Sequence, residues 1–349
     1  MIIRQLGQSE LKVSVLGMGC WQYGGGAYWG AQLQKDVDEV VHRALDMGIN
    51  FFDTAEVYND GESERSLGIA LKGKRDQVII GNKVSTSNVR PSVLKERCEA
   101  SLKRLGTDYL DLYMLHWPLN PISAKHFSAD PDVVNQLPGV QEVFEALFSL
   151  QKEGKIRHIG ISNHGVQQMK EVQATGVPVV TNELPYNLVS RAIEESILPY
   201  CVQNHIGVIG YMPLAQGLLA GTYPTLDDMK PMQTRSRHFH HSRGEGTRHG
   251  EEGAEAELAI AIQEIQELAE EIGTDILTLS LAWTVANEAI TSTIVGSRNV
   301  KQLEANIRGA LYPITSDVKA RLNEITEPVL RKLGSNPDYY ENRSNSRVY

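Results

Sequence analysis

Short β-rich apolar runs alternate with amphipathic helical segments over almost the whole chain of 349 residues. Eight such runs can be counted, beginning with VSVLGMG near Val15 and ending with TSTIVGS at Ser297. The segments between them have helical periodicity. SVLKERCEASLKRLG, for example, places along one stripe Val93, Leu94, Cys98, Leu102 and Leu105. This alternation is typical of βα units, in which helices cover a parallel sheet.

Parallel βα units can form either an open, doubly wound sheet or a closed barrel. The open sheet usually has a glycine fingerprint between its first strand and its first helix. Here GMGCWQYGGG is followed by AYWGAQLQ before any helix begins, so the fingerprint fails. The sequence therefore predicts a (β/α)8 TIM barrel, with residues 1–349 forming a single domain.

Three further features surround the predicted barrel. MIIRQLG and SELKVSV indicate an N-terminal β-hairpin that turns at Gly7 and Gln8 and closes the bottom of the barrel. Long loops follow His116 and run from Gly217 to about Glu252, and we expect both on the C-terminal face, where barrel enzymes build their sites. A polar tail of about residues 330–349 is either loose or folded over one mouth of the barrel.

Composition and charge restrict the classes of partner. The net charge is -9 with both signs interspersed, which argues against nucleic-acid binding. No run approaches the roughly 18 apolar residues of a membrane helix, and the N-terminus lacks the apolar centre of a signal peptide. Cys20, Cys98 and Cys201 show no paired spacing. We expect a cytoplasmic protein without disulfides or membrane partners, and the sequence makes no prediction of its oligomeric state.

Four polar residues fall at the ends of consecutive predicted strands. Asp53 ends the second strand, and Tyr58 lies in the loop after it. Lys83 and His116 end the third and fourth strands. Because neighbouring barrel strands end on one rim, these side chains should converge. The reference pKa of a tyrosine is about 10, and a Lys83 ammonium held by Asp53 would lower the pKa of Tyr58 towards neutrality. With His116 to orient a substrate oxygen, the group predicts a proton donor for an oxyanion.

Ordered motifs along the chain resemble the signatures of the aldo-keto reductase family. They span about Leu6 to Ile325 and are LGMGCW, GINFFDTAEVYNDGESERSLG, GNKV, LDLYMLHWP, KIRHIGISN, PYNLVSR, YMPLAQGLLAGTY and IVGSRNVKQLEAN. The resemblance implies an NADP(H)-dependent oxidoreductase that interconverts a carbonyl, in an aldehyde or ketone, and an alcohol by hydride transfer. It also implies that the four polar residues form the family's catalytic tetrad, with Tyr58 as general acid or base.

The same resemblance assigns cofactor contacts to the loops at the carboxyl ends of the strands. The implied residues are Gly19, Cys20, Trp21, Asp53, Ser162, Asn163, Glu183, Tyr211, Pro213, Leu214, Gln216, Gly217, Leu218, Gly296, Ser297, Arg298, Gln302 and Asn306. Among them, Tyr211 would stack on the nicotinamide ring, and Pro213 begins the loop expected over the pyrophosphate. Arg298 could bind a 2′-phosphate, so NADP(H) is expected over NAD(H), which stays possible.

Three departures from the family pattern bear on these expectations. Glu183 stands where many members have Gln, and a carboxylate cannot donate a hydrogen bond to the oxygen of the nicotinamide carboxamide. Gly296 and Gln302 replace the Lys and Arg that meet a 2′-phosphate in other members, which leaves that role to Arg298. At positions 59–60, Asn and Asp replace a more usual glycine, which alters the turn of the loop.

The substrate pocket is expected to be aromatic. Its predicted lining consists of Trp21, Tyr28, Trp29, Tyr58, His116 and Trp117. Such rings suit stacking on a sugar or an aromatic compound, and a sugar or polyol derivative is preferred. The segment RSRHFHHSRGEGTRHGEE, at about residues 235–252, lacks an ordered ligand spacing. We assign no metal site and interpret this segment as a mobile lid over the cofactor.

Two other functions remain compatible with the sequence. The potassium-channel β-subunits share the barrel of this family and bind the cofactor mainly as a sensor, with little turnover. A Schiff-base aldolase would instead use Lys83 as its nucleophile. Turnover of carbonyl compounds separates the first alternative from an enzyme, and borohydride trapping of substrate on Lys83 tests the second.

Overall fold

The computed structural model describes residues 1–349 and contains a closed barrel of eight parallel strands, which confirms the predicted (β/α)8 fold. An antiparallel hairpin of β1 (Ile3–Gln5) and β2 (Lys12–Ser14) precedes the barrel. The barrel strands are β3 (Leu16–Gly19), β4 (Phe51–Asp53), β5 (Ile79–Val84), β6 (Leu110–Leu115), β7 (Ile156–Ser162), β8 (Thr181–Pro185), β9 (Gly207–Tyr211) and β10 (Ser292–Val295). Each strand pairs with the next in chain order, and β10 pairs with β3 to close the barrel.

Twelve helices connect and cover these strands. They are α1 (Gln34–Asp46), α2 (Glu62–Ala70), α3 (Pro91–Leu105), α4 (Pro121–Phe127), α5 (Pro131–Asn135), α6 (Val140–Lys152), α7 (Val166–Ala174), α8 (Ile197–Gln203), α9 (Glu255–Glu271), α10 (Ile276–Val285), α11 (Val300–Ala310) and α12 (Ser316–Leu333). Most of the stripe predicted on α3 is buried, because Leu94, Cys98, Leu102 and Leu105 belong to the hydrophobic core, whereas Val93 is only partly buried.

The apolar side chains form two layers of core. A cluster of 70 buried residues draws on both strands and helices and joins the barrel to its outer shell. A second cluster of 9 residues includes Phe51, Leu112 and Ile294 from the barrel strands together with Leu6 and Leu11 from the hairpin. The hairpin therefore closes the amino-terminal end of the barrel with apolar side chains, as the sequence predicts.

Alternation along the strands places polar groups one layer above this inner core. Phe51 and Asp53 point to the same side of β4, because successive side chains of a strand alternate. On β5, Gly81 and Lys83 share one side for the same reason. A Cβ atom at Gly81 would lie 3.1 Å from the ring of Phe51, so glycine leaves room for that ring. Asp53 and Lys83 consequently lie inside the barrel, above Phe51 and towards the carboxyl ends of the strands.

The C-terminal tail is folded over the carboxyl face of the barrel rather than loose. Arg347 donates to Asp338 at 2.8 and 2.6 Å, and both side chains are buried. The guanidinium carbon of Arg347 lies 3.5 Å from the ring centroid of Trp117, in the loop after β6. The tail thus covers one side of the face on which the long loops lie.

The histidine- and arginine-rich segment, interpreted above as a mobile lid, packs against the rest of the chain. The imidazole of His238 lies 2.7 Å from the carbonyl oxygen of Val189, and Arg237 donates to the carbonyl oxygens of Leu333 at 2.7 Å and Asn336 at 3.0 Å. No three or more His, Cys, Asp or Glu side chains are grouped so that they could hold a metal ion. No helix combines the length and the apolar character needed to cross a membrane.

The turn of the hairpin gives a test of its packing. Gly7 has a φ of +56°, and a Cβ atom there would lie 2.2 Å from the carbonyl oxygen of Val180 at the barrel bottom. Gly7→Ala should lower the free energy of unfolding by ~1–3 kcal/mol for the clash, added to ~1 kcal/mol for the left-handed backbone. Urea denaturation measures the change.

Gly73→Ala is the matched control. Its φ is +75°, but nothing lies within 4 Å of the added carbon, so only the backbone cost of ~1 kcal/mol applies. Equal losses of stability in the two variants would contradict the packing of the hairpin turn against the barrel.

Candidate active site

The centre of the site is a buried ammonium. Lys83 lies in β5 next to Asp53 at the end of β4, and its Nζ donates to the two carboxylate oxygens of Asp53 at 2.6 and 2.5 Å. Both side chains are almost completely buried. Neighbouring strands bring the two residues together, as the sequence predicts, because the rim of the barrel aligns their carboxyl ends.

A second carboxylate reaches the same ammonium. Oε1 of Glu183, on β8, lies 3.3 Å from Nζ of Lys83, and its Oε2 is buried without a hydrogen-bond partner. The sequence predicts Glu183 only as a cofactor contact and misses this pairing, because β8 is not a neighbour of β5. The one available signal was that strands on opposite sides of a barrel also point their inner side chains at the same axis.

Two carboxylates beside one ammonium leave an excess negative charge unless one of them is protonated. Burial, and then the charge of Asp53, raise the pKa of Glu183 to about 8. Burial also raises the pKa of Asp53, against the opposing effect of Lys83. Near neutral pH the two acids therefore retain one proton between them, which belongs to the pair rather than to either residue.

Tyr58 lies in the loop after β4, with its ring centroid 5.3 Å from Nζ of Lys83. Its ring also meets the imidazole of His116 edge-on at 5.7 Å. The expected lowering of the tyrosine pKa is wrong for this state of the protein: burial raises the pKa of Tyr58, and the attraction of Lys83 offsets only part of that effect. The phenol is consequently protonated and able to act as a donor.

His116 follows the last residue of β6 and is held neutral. Burial, and then the charge of Lys83, lower the pKa of its imidazole well below the usual value. Its Nδ1 is buried without a partner, while the ring of Phe127 from α4 packs against it at 5.5 Å. Sequence reasoning missed Phe127, which lies in the loop insertion and carries no motif of its own.

The turn after Tyr58 contains Asn59 and Asp60 in place of glycine, and Asn59 connects two loops of the site. Asn59 has a φ of +50° and Asp60 a φ of +54°, in the left-handed region that asparagine and aspartate tolerate. The amide of Asn59 donates to the carbonyl oxygens of Trp21 at 2.8 Å and Tyr23 at 2.9 Å. This side chain therefore ties the tyrosine loop to the loop after β3.

The residues expected around the carboxamide of a nicotinamide lie together. The amide of Asn163 donates to the carbonyl oxygen of His116 at 3.1 Å, and the hydroxyl of Ser162 donates to the main-chain oxygen of Glu183 at 3.0 Å. The hydroxyl of Tyr211 donates to Oδ1 of Asn163 at 2.8 Å. Polar groups, a flat ring and the unpartnered oxygen of Glu183 are thus adjacent, and this set fits an amide-bearing ring.

The predicted pyrophosphate loop has the backbone that close approach requires. Gln216 has a φ of +58° and Gly217 a φ of +98°, after Pro213 and Leu214. The hydroxyl of Tyr28 donates to Oε1 of Gln216 at 2.5 Å, which links this loop to the loop after β3. Leu218 is buried in the core, so any contact from that position would involve its backbone.

The expected adenosine end is organised around Arg298, whose guanidinium is already engaged. It donates to the carbonyl oxygen of Trp29 at 2.6 Å, to that of Ala31 at 2.5 Å and to the side chain of Gln32 at 2.8 Å. The arginine therefore fastens the loop after β3, a role that the sequence does not predict.

The other residues assigned to this end bond to one another. Oε1 of Gln302 accepts from the backbone N–H of Arg298 at 2.8 Å, and the amide of Asn306 donates to the hydroxyl of Ser297 at 3.0 Å. Gly296 is exposed, and a Cβ atom there would lie 2.9 Å from the side chain of Gln22.

Residues 19–21, all predicted to contact the cofactor, differ in burial and in packing. The thiol of Cys20 is fully buried and belongs to the large hydrophobic core, so it is not accessible to a ligand. A Cβ atom at Gly19 would lie 3.6 Å from the backbone of Gly296, so the two loops approach closely there. Trp21 remains partly accessible and packs on Tyr58 with ring centroids 5.9 Å apart.

Most of the rings predicted to line the substrate pocket pack on one another. The ring of Trp21 stacks on Tyr28 at 4.9 Å and meets Trp29 edge-on at 5.3 Å. These rings lie beside Tyr58 and form a continuous surface. Trp117 is separate, because its ring is covered by the guanidinium of Arg347 and is almost fully buried.

Comparison with known proteins identifies the family. The sequence profile of the Aldo/keto reductase family matches residues 15–327. The chain belongs to the aldo-keto reductase family. The resemblance of its motifs is therefore confirmed, and the closed barrel with its rim of polar residues is the fold of an aldo-keto reductase.

Individual relatives support the same assignment over most of the chain. The aldo-keto reductase YhdN of Bacillus subtilis is 32% identical over 92% of this chain and 92% of its own length. The NADH-specific methylglyoxal reductase of Escherichia coli is 30% identical over 93% of this chain and 98% of its own. An aldo/keto reductase from Klebsiella pneumoniae, solved with NADP and acetate, has a TM-score of 0.69 at 26% identity and covers 93% of this chain and 95% of that one. These relatives support a carbonyl oxidoreductase with a nicotinamide cofactor.

The shared proton can be tested through stability. Glu183→Gln removes one of the two acids that share a proton in the folded chain, where burial and then the charge of Asp53 raise the pKa of Glu183 to about 8. The unfolded chain releases that proton near its reference pKa of about 4.3. The free energy of unfolding of the wild type should therefore fall by at most ~1.4 kcal/mol per pH unit as pH rises between these two values. Above the higher value it should level off. The amide cannot ionise, so the variant should lack this loss.

Urea unfolding over this pH range, compared between variant and wild type, measures the effect. As pH rises, the free energy of unfolding of Glu183→Gln should increase relative to that of the wild type. Glu142→Gln, an exposed position on α6, should follow wild type at every pH. A difference for Glu183→Gln that does not change with pH would mean that the folded site holds no extra proton.

Proposed function

We propose that this aldo-keto reductase interconverts an aldehyde or ketone and an alcohol with NADP(H), using Tyr58 as the general acid or base. The observation that carries the proposal is the buried Lys83 ammonium, held by Asp53 and 5.3 Å from the ring of the tyrosine. A positive charge fixed at this place stabilises the phenolate that proton transfer creates.

The proposed roles follow from the charge states of the groups. Tyr58, protonated at rest, gives its proton to the carbonyl oxygen in reduction and takes it back from the alcohol in oxidation. Neutral His116 can donate one hydrogen bond to the same oxygen. The bound dinucleotide would supply the hydride for reduction or accept it in oxidation. Lys83 stays charged throughout, since it lies between two acids that share one proton.

Several residues are suited to hold the dinucleotide. Ser162, Asn163 and Glu183 would bind the carboxamide, and Tyr211 would cover one face of the ring. A protonated Glu183 can both donate and accept hydrogen bonds, as the Gln of other members does. The shared proton thus removes the difficulty that a carboxylate would present at this position.

The NADP(H) preference is proposed on chemical grounds. Arg298 is the only residue assigned to the adenosine end that carries a positive charge. Its present partners are two neutral carbonyl oxygens and an amide, and a 2′-phosphate would be a stronger, charge-assisted acceptor. The Klebsiella structure contains NADP, whereas the Escherichia coli relative is named NADH-specific, so NAD(H) stays the alternative.

The same site disfavours the Schiff-base aldolase. Such an enzyme needs a neutral amine as nucleophile. Burial favours the neutral form of Lys83, but the charges of Asp53 and then Glu183 outweigh burial, and the net result is a pKa above the usual range for lysine. A lysine held in this way suits an electrostatic role.

The aromatic surface of Trp21, Tyr28 and Trp29 supports a small substrate that can stack on rings. A sugar or polyol derivative fits that surface, and the Escherichia coli relative is named for reduction of methylglyoxal, a small carbonyl compound. We therefore propose short-chain hydroxy or keto aldehydes as the substrates to test first.

The role of the tyrosine gives a direct prediction. Tyr58→Phe should lower kcat for carbonyl reduction by at least ~10²-fold, because the general acid is lost, while cofactor binding is kept. Consumption of NADPH measures the first quantity and fluorescence titration the second. Tyr113→Phe is the control: its hydroxyl is buried in β6 without a partner, and the change should leave kcat unaltered. Near-normal turnover in Tyr58→Phe, or no turnover of any carbonyl by the wild type, would contradict the proposal.

The phosphate assignment has its own test. Arg298→Ala should weaken NADPH binding by ~10-fold or more and NADH binding much less, since only NADPH offers the phosphate to the guanidinium. Dissociation constants for both cofactors measure the difference. Arg308→Ala, at an exposed position on α11, removes the same charge nearby and should change neither. Equal weakening of both cofactors in Arg298→Ala would mean that this arginine only fastens the loop after β3.

A further inference from the structure

Arg235 stands out among the arginines near the site because its charge is unmatched. The side chain is half-buried and has no carboxylate within 4.0 Å, and its Nε is buried without a partner. Its guanidinium carbon lies 5.7 Å from the ring centroids of both Tyr28 and Tyr340. A partly desolvated guanidinium with free donors is a binding group for an anion.

The surroundings of Arg235 are positive overall. Arg248 pairs with Glu341 at 2.7 Å, and Arg347 pairs with Asp338 at 2.6 Å. Three guanidinium groups therefore face two carboxylates, and Nη1 of Arg347 is also buried without a partner. His126 does not add to this charge, because burial and then the nearby arginines lower its pKa to about 4.

This positive region lies on the substrate side of the candidate site. Tyr28 stacks on Trp21, which packs on Tyr58, so one row of rings leads from Arg235 to the proposed acid. On the other side, His126 packs on Phe127 at 4.9 Å, and Phe127 packs on His116. The residues assigned to the carboxamide and the 2′-phosphate come from other loops, whereas Gln216 of the predicted pyrophosphate loop accepts a hydrogen bond from Tyr28 at 2.5 Å.

We propose that Arg235 binds a carboxylate or phosphate group at the end of the substrate remote from its carbonyl, so that the enzyme prefers anionic aldehydes or ketones to neutral ones. This inference rests on the proposed function and adds the charge class of its substrate. The chain as a whole carries a net charge of -9, so an anionic substrate needs such a local positive site. Both anions offer the coplanar or clustered oxygens that a guanidinium recognises.

Matched pairs of substrates test the inference. We would measure kcat/KM for glyceraldehyde 3-phosphate against glyceraldehyde and for succinic semialdehyde against butanal, in wild type, Arg235→Gln and Arg235→Lys. The wild type should prefer the charged member of at least one pair, and that pair identifies the anion as phosphate or carboxylate. Arg235→Gln should lower kcat/KM for that charged member ~10- to 100-fold and leave its neutral partner nearly unchanged. Arg235→Lys should keep part of the preference.

Arg243→Gln is the control within the same segment. Its guanidinium already pairs with Glu255 and Asp227, so its charge is not available to a substrate. The substitution should therefore leave the substrate preference intact. A wild type that turns over neutral and charged members equally well would overturn the inference while leaving the proposed function standing. Loss of both members together in Arg235→Gln, with weaker binding of NADPH and NADH alike, would assign the arginine to the cofactor pyrophosphate instead.

Binding measurements keep the inference testable even if no carbonyl is turned over, an outcome that would defeat the proposed function alone. Isothermal titration of succinate and of glycerol 3-phosphate into the protein with NADPH present reads the anion site directly. Binding by wild type that Arg235→Gln abolishes would support the site. Failure of both anions to bind the wild type would overturn it.

Discussion

The structure depends on one ammonium buried at the carboxyl end of a barrel. Removing a lysine charge from water is costly, by several kcal/mol even after relaxation, and it is tolerated only where opposite charge is fixed close by. Asp53 and Glu183 supply that charge from two strands on different sides of the barrel. Closure of the barrel is therefore what holds the ammonium in place, since an open sheet would not bring β5 and β8 together. The proton that the two acids keep leaves the cluster close to neutral, and that balance lets the charge remain buried.

The other groups of the candidate site surround the cluster of Lys83, Asp53 and Glu183. Tyr58 and His116 occupy the layer above the ammonium, where one is a protonated phenol and the other a neutral imidazole. Loops on one side carry the groups suited to a dinucleotide, and Arg298 fastens the loop after β3 across them. The loop after β3 also carries the rings of Trp21, Tyr28 and Trp29, and the tail and the segment around Arg235 add an excess of positive charge.

The regular parts of this arrangement could be predicted from the sequence because they follow from period and topology. Strand runs at regular intervals specify the barrel, and the positions of Asp53, Lys83 and His116 at strand ends specify their convergence. What could not be predicted depends on packing between distant segments. The pairing of Glu183 with Lys83 crosses the barrel, and the cover of Arg347 on Trp117 depends on the path of a tail without periodicity. The pKa of Tyr58 was expected to fall because the sequence reveals the neighbouring charge but not the extent of burial that opposes it.

The most direct test of this account is the protonation state of the two acids beside Lys83. Infrared difference spectra between wild type and Glu183→Gln, recorded across pH, distinguish a protonated carboxyl from a carboxylate. The account predicts a protonated carboxyl band at neutral pH that disappears as pH rises past about 8. Bands of ionised carboxylate alone, unchanged at every pH, would contradict it, because the ammonium would then lie between two full negative charges.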